Sequence, residues 1–183
     1  MKITIFTSNQ PRHLNLIDRL AEISDECYAV IEATTVFPGQ IKGFFQKSDI
    51  FQQYFSNVIK SEKKIFGNIR FSQNIKNLVI QSKDLNTLNR ETLKPALDSD
   101  IYIVFGSSFI KGWLVDHLIS KNAINVHMGI SPYYRGNSCN FWALYDSNPH
   151  LMGATIHMLG KGLDSGKILY HVAPTTKNCS NPF

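Results

Sequence analysis

Three side chains in this chain of 183 residues have the types and spacing to act together on a substrate: the amide of Asn125, the imidazole of His127 and the carboxylate of Asp164. Asn125 and His127 flank Val126, and on a strand running from Ala123 to Met128 they would project from one face while Val126 faces the other layer. A polar pair on one strand face is costly to bury without a use. An amide can donate N–H to an oxygen that gains charge, and an imidazole, with a reference pKa of about 6.5, can exchange a proton. A carboxylate beside that imidazole favours its charged form. Asp164 sits in Leu163-Asp164-Ser165-Gly166, a composition that an ordinary turn also explains. Between the two segments lies Tyr134-Arg135-Gly136, in which Tyr134 and Arg135 either brace their loop or hold a substrate.

Two nearby residues invite weaker readings. Cys139 follows the same loop, but no activating partner neighbours it in sequence, so it reads as a small packing residue. His157, on the next expected strand, reads as a packed histidine. Cys27, Cys139 and Cys179 are odd in number and widely spaced, with no CxxC and no zinc-binding pattern. They suggest free thiols in a reducing compartment, and no metal site is expected.

The elements that must position these residues alternate strand and helix from the N-terminus. This pattern predicts a Rossmann-like α/β sandwich of three layers, its sheet mostly parallel. Lys2 to Thr7 is the first expected strand, and Pro11 opens a helix with Leu14, Ile17, Leu20, Ala21 and Ile23 at helical spacing. Tyr28 to Ile31 is a second strand, followed by a loop with Pro38, Gly39 and Gly43. Ser48 is expected to cap a helix whose Phe51, Tyr54, Phe55, Val58 and Ile59 face the sheet. Leu78 to Ile80 is expected as a short strand, Leu85 to Thr92 as a polar helix stopped by Pro95, and Asp100 to Phe105 as the central buried strand. Trp113, Leu114, Leu118 and Ile119 mark the helix before Asn125, and Cys139 to Tyr145 a short helix after it. Gly153 to Met158 and Lys167 to Val172 lack room for a crossover helix and should run antiparallel.

Bulk properties exclude several classes. A hydrophobic fraction of 43% with 18% charged residues is that of one soluble domain, expected over residues 1–183. No apolar run has membrane-spanning length and the start lacks a signal-peptide pattern, so a cytoplasmic protein with no membrane partner is expected. The net charge of +5 is compatible with an anionic substrate but does not argue for nucleic acid, and Lys60, Lys63 and Lys64 read as a solvated helix end. Thr7-Ser8-Asn9-Gln10-Pro11 has no glycine, which argues against a dinucleotide. P-loop, HExxH and nucleophile-elbow motifs are absent from the sequence.

The segments NVHMGISPYYRG, FWALYD and GATIHMLGKGLDSG together resemble the catalytic domain of formyltransferases that use 10-formyltetrahydrofolate. The shared pattern is an Asn-x-His strand, a Pro-x-Tyr/Phe-Arg-Gly loop and a Leu-Asp-x-Gly turn. The likeness is clear from Ile101 to Tyr170 and one of layout before that. It implies that Asn125, His127 and Asp164 are catalytic. It also implies a folate pocket formed by Ser107, Ser108, Phe109 and Ile110 with Leu159, Gly160, Lys161, Gly162 and Leu163. Phe109 and Ile110 are equally readable as the start of a core helix. Tyr134, Arg135 and Gly136 are expected near the acceptor.

The motifs look most like sugar N-formyltransferases, which implies a small amine acceptor on a nucleotide-linked amino sugar. Lys42 and Lys47, in the stretch from Phe37 to Lys47, would suit its anionic part. Methionyl-tRNA formyltransferase is the alternative, and the one case in which nucleic acid is a partner. A folate-binding domain without turnover, or a hydrolase releasing formate, is an alternative of another class. The end at Asn181-Pro182-Phe183 suggests a truncated or unusually short member, and the oligomeric state is left open.

Overall fold

Strict alternation along the first strand sets up two cores. The computed structural model describes residues 1–33 and 49–175, with the side chains of 49–52 and 55 left aside. In β1, Lys2–Ser8, Ile3 and Ile5 join one apolar cluster while Phe6 joins the other. β2, Glu26–Ala33, divides its residues likewise, with Cys27, Ala29 and Ile31 on one side and Val30 on the other. Buried on both faces, these strands are hydrophobic nearly throughout.

One layer over the sheet is α1, Pro11–Glu22, whose Ile17, Leu20 and Ala21 are buried against the first cluster. The expected proline opens it, and the Gln10 carbonyl takes the N–H groups of His13 and Leu14. α2, Asp49–Phe66, is tied to α1 by an ion pair between Arg12 and Glu62. Lys63 and Lys64 lie exposed in its last turn, as a solvated helix end would. Over the opposite face lies α4, Gly112–Ser120, which buries Leu114, Val115 and Leu118.

Among the described residues the sheet has seven strands in the order β3-β2-β1-β4-β5-β6-β7. The remaining strands are β3, Ile75–Gln81; β4, Ile101–Phe105; β5, Ile124–His127; β6, Ala154–Met158; and β7, Ile168–Val172. β1 to β5 pair in parallel, while β5/β6 and β6/β7 are antiparallel. β4 is the middle strand, as its hydrophobicity predicts. Strand order reverses between β1 and β4, and open α/β sheets bind ligands at the carboxyl ends beside such a reversal.

One expected element differs. Instead of a helix from Leu85 to Thr92, the chain makes a tight turn at Asp84–Thr87, a single α turn α3 at Arg90–Leu93, and another tight turn at Lys94–Ala96. Leu88 is extended, and the Asn89 side chain accepts from Thr92 N–H, so a cap interrupts the helix and restarts it. The Phe37–Lys47 loop, the Ser48 cap, Cys179 and the terminal Asn181-Pro182-Phe183 lie outside the described residues. Among the described residues no helix is long and apolar enough to cross a membrane.

Candidate active site

β5 presents Asn125 and His127 from the face opposite Val126, which packs into the α1-side cluster. His127 is buried and Asn125 half-buried. Asp164 arrives from the turn between β6 and β7 with a left-handed φ of 44°. Gly166 lets that turn close, because a Cβ there would lie 1.6 Å from the Met158 carbonyl oxygen.

The Asp164 carboxylate engages all three sequence motifs. Its Oδ1 accepts from Asn125 Nδ2 at 3.1 Å, and its Oδ2 accepts from the Gly136 N–H at 2.9 Å. The same Oδ2 faces His127 Nδ1 at 3.2 Å. His127 Nε2 lies 2.9 Å from the Tyr134 carbonyl, which can only accept, so the ring donates there. Both ring nitrogens thus face acceptors.

Tyr134 braces its loop. Its hydroxyl donates to Asp146 Oδ2 at 3.1 Å and accepts from Asn148 Nδ2 at 3.0 Å. Arg135 is exposed, and Gly136 takes a φ of 87°, which turns its N–H toward Asp164. Cys139 opens α5, Cys139–Tyr145, with its thiol 3.6 Å from His127 Nε2. Burial and then the Asp164 charge push that thiol up to about 11, so it is a packing group rather than a nucleophile.

His157 belongs to this constellation, which the reading as a packed residue misses. It is buried, but it stands directly across from Asn125 in the β5/β6 register. Its Nδ1 donates to the Met158 carbonyl at 2.8 Å, and its Nε2 meets Asn125 Nδ2 at 2.9 Å. That Nε2 is 3.8 Å from Asp164 Oδ1. Interaction with Asp164 raises the His157 pKa above its ordinary value, against the effect of burial. Burial opposes the charge on Asp164, yet its bonding with His157, the Gly136 N–H and the nearby imidazoles hold its pKa below the usual carboxylate value. The register that places His157 has no signature in its own local sequence.

Gly129 was also not singled out by sequence. A Cβ there would sit 2.6 Å from His127 Nε2 and 2.5 Å from Cys139 Cβ, so the bare backbone makes room for the ring.

The two segments expected around a folate meet at their roots. Ile110 and Leu159 pack in the same apolar cluster. Ile110 is 6% exposed, so its side chain belongs to the core and only its backbone is free to face a ligand. Phe109 and Leu163 are exposed, and Ser107 and Ser108 are half-buried. Lys161 pairs with Asp116 of α4 at 2.7 Å. Gly160 and Gly162 lie in the same turn as Asp164, where a Cβ on Gly162 would strike the Ser165 hydroxyl at 2.4 Å. Among the described residues no group of His, Cys, Asp and Glu is arranged to hold a metal ion.

The family model for formyl transferases matches residues 1–178. Methionyl-tRNA formyltransferase of Borreliella burgdorferi (strain ZS7) is 35% identical over 144 residues, covering 78% of this chain and 40% of that protein. Mitochondrial formyltetrahydrofolate deformylase 2 of Arabidopsis thaliana is 26% identical over 108 residues, covering 56% of this chain and 31% of that protein. The chain spans between 24% and 40% of the length of these and similar curated relatives. Phosphoribosylglycinamide formyltransferase from Anaplasma phagocytophilum superposes with a TM-score of 0.57 at 16% identity, covering 98% of this chain and 75% of that one. A sugar N-formyltransferase from a Shewanella species gives 0.52 at 16% identity, covering 96% of this chain and 58% of that one. The structural likenesses establish a shared fold; with the match over nearly its whole length, this chain belongs to the formyl transferase family.

Proposed function

We propose that the chain transfers a formyl group from 10-formyltetrahydrofolate to a primary amine, with Asn125, His127 and Asp164 as its catalytic residues. The observation that carries this reading is the single carboxylate of Asp164, which joins Asn125, His127 and the Gly136 loop. The amine nitrogen attacks the formyl carbon, and the carbonyl electron pair moves onto oxygen. Asn125 stabilises that oxyanion by donating N–H, and His127 joins it once its ring N–H turns from the Tyr134 carbonyl to the substrate. A proton leaves the attacking nitrogen and reaches N10 of the folate through Asp164 and water. The electron pair on oxygen then re-forms the carbonyl, and the C–N10 bond breaks. No covalent enzyme intermediate is needed, which agrees with the protonated Cys139 thiol.

The folate would lie against residues 107–110 and 159–163. Exposed Phe109 and Leu163 offer apolar surface, and the backbone there offers polar groups to the pterin edge. Tyr134, Arg135 and Gly136 would border the acceptor, with the exposed Arg135, which forms no ion pair among the described residues, as that loop's cation for an anionic group.

For the acceptor we favour a nucleotide-linked amino sugar, on the resemblance of the FWALYD and HMGISPYYRG segments. On α5, Trp142 and Tyr145 are exposed beside Phe141 and offer aromatic faces to a nucleobase. A methionyl-tRNA acceptor is the second reading, favoured by the relative of that name at 35% identity over 78% of the chain. The test is incubation of the full chain with 10-formyltetrahydrofolate and, separately, nucleoside-diphosphate amino sugars or methionyl-tRNA. Formylated sugar supports the first reading, and formylated tRNA replaces it with the second. Formate released without an acceptor, or folate bound without turnover, overturns the transferase reading.

A further inference from the structure

Glu32, near the carboxyl end of β2, is 2% exposed. Glutamate is rarely buried so fully unless a cation pairs with it. Among the described residues, no ion pair to Glu32 is formed by a lysine, arginine or histidine. Three neutral donors meet its carboxylate instead. Oε1 accepts from Lys83 N–H at 2.8 Å and from the Ser108 hydroxyl at 2.8 Å, and Oε2 accepts from Ser108 N–H. Lys83 takes a left-handed φ of 79° at the turn that delivers its N–H.

Two of these donors belong to one residue of the segment between β4 and α4. The next residues of that segment are fastened by Asn86. Its Nδ2 donates to the Phe109 carbonyl at 2.9 Å, and its Oδ1 accepts from Lys111 N–H at 2.7 Å. Ile110, between them, is anchored in the core. A segment outside any helix or strand is therefore held at each residue from Ser108 to Lys111. An apolar residue at position 32 would avoid the desolvation cost of a carboxylate. It would also leave the Ser108 N–H and hydroxyl without their partner. A charged group kept in that place, at the carboxyl end of the sheet, serves a fixed loop geometry.

We propose that Glu32 is a positioning residue for folate binding: it sets the conformation of Ser107–Ile110 so that their backbone groups meet the pterin. This rests on the folate reading above. Glu32 does not touch the reacting atoms.

Glu32→Gln is the discriminating variant. Its Oε1 still accepts from Lys83 and the Ser108 hydroxyl, but an NH₂ group now faces Ser108 N–H, donor against donor. Tetrahydrofolate binding, measured by calorimetry on the full chain, should weaken about tenfold, the scale of one hydrogen bond to a charged group. The KM for 10-formyltetrahydrofolate should rise in step, with kcat and the KM of the amine within about twofold. Hydrogen exchange at the Ser108 amide should accelerate, a readout independent of activity. Should that variant fail to fold, Asn86→Ala detaches the loop from its exposed side and carries the same expectation for tetrahydrofolate.

Wild-type protein that binds tetrahydrofolate, with E32Q binding it equally well, overturns this inference and leaves the folate reading standing. A matched rise in both KM values also overturns it, since that marks a disturbed site rather than a folate-specific effect, as does a lowered Tm with a fall in kcat alone, the mark of general destabilisation. Wild-type protein that binds no tetrahydrofolate overturns the folate reading itself, and the role of Glu32 falls with it.

Discussion

Asn125 and Asp164 are 39 residues apart in the chain, yet the amide nitrogen of one lies 3.1 Å from a carboxylate oxygen of the other. Only the NH₂ side of an amide can face a carboxylate, so this contact fixes which way Asn125 points. Its second hydrogen points at His157 Nε2. The orientation of the group proposed to donate to the oxyanion is thereby set by two partners, neither of which is its neighbour in sequence.

Replacing Asn125 by Ala should lower kcat for formyl transfer by about 10²–10³-fold, the loss seen when one oxyanion donor is removed. Asn125 is half-buried within the short strand β5 and its backbone pairing is unaffected, so the Tm of the variant should change little. Steady-state kinetics on the accepted amine checks this. A variant with wild-type kcat would remove Asn125 from the mechanism.

Gly129→Ala tests the room around His127. The added methyl would meet His127 Nε2 at 2.6 Å and Cys139 Cβ at 2.5 Å, and neither partner is the end of a flexible chain. Overpacking of this kind costs about 1–3 kcal/mol. Urea unfolding should show that loss, and formyl transfer should fall with it because the ring is displaced from Asp164. A variant of unchanged stability would show that the loop yields easily.

How legible the site was depended on whether its parts are local. Asn125 and His127 share a strand face because they are two residues apart, and Val126 opposes them as alternation requires. The strand–helix alternation carried the parallel half of the sheet, and the short connection carried the antiparallel end. What escaped is non-local. His157 enters through the β5/β6 register, and Glu32 meets Ser108 across 76 residues. Each would pass for a residue of an ordinary strand until the strands are paired. The broken helix after β3 escaped for a local reason, since Asn89 is a weak helix former that becomes a strong cap once its side chain turns to Thr92 N–H.

His13 gives a prediction about pH and stability. It is buried beneath Gly106 and edge-on to Phe105, and its Nδ1 has no hydrogen-bond partner among the described residues. Burial, with a smaller push from Arg12, lowers its pKa to about 3. The unfolded chain therefore takes up a proton near pH 6.5 that the folded chain refuses until near pH 3. Stability is full above the unfolded pKa and declines as pH falls through that window. The loss between about pH 7.5 and about pH 5 should be about 2 kcal/mol from this residue. His13→Phe keeps a ring and removes the titration, so its urea midpoint should fall less over the same interval. Parallel pH dependences for variant and wild type would assign the effect elsewhere.

His157 carries the last prediction. In this arrangement Asp164 takes one Asn125 hydrogen and neutral His157 takes the other, so neither is free for an oxyanion. A proton on His157 Nε2 removes that acceptor and turns the nitrogen into a donor facing Asp164 Oδ1, 3.8 Å away. The Asn125 hydrogen is then released toward substrate. The groups that face the ring favour this form on balance: Asp164 and the Met158 carbonyl raise its pKa, while burial and Arg135 oppose them. The charged form is present at low pH and lost as pH rises through that raised pKa. His157→Gln keeps an acceptor for Asn125 but cannot titrate. At about pH 6.5 it should lower kcat by about tenfold, the scale of one hydrogen bond to a charged centre. The ratio of wild-type to variant kcat/KM should shrink toward one as pH rises, and taking the ratio cancels the titration of the amine itself. A ratio constant from about pH 6 to about pH 9 would leave His157 as a packing residue after all.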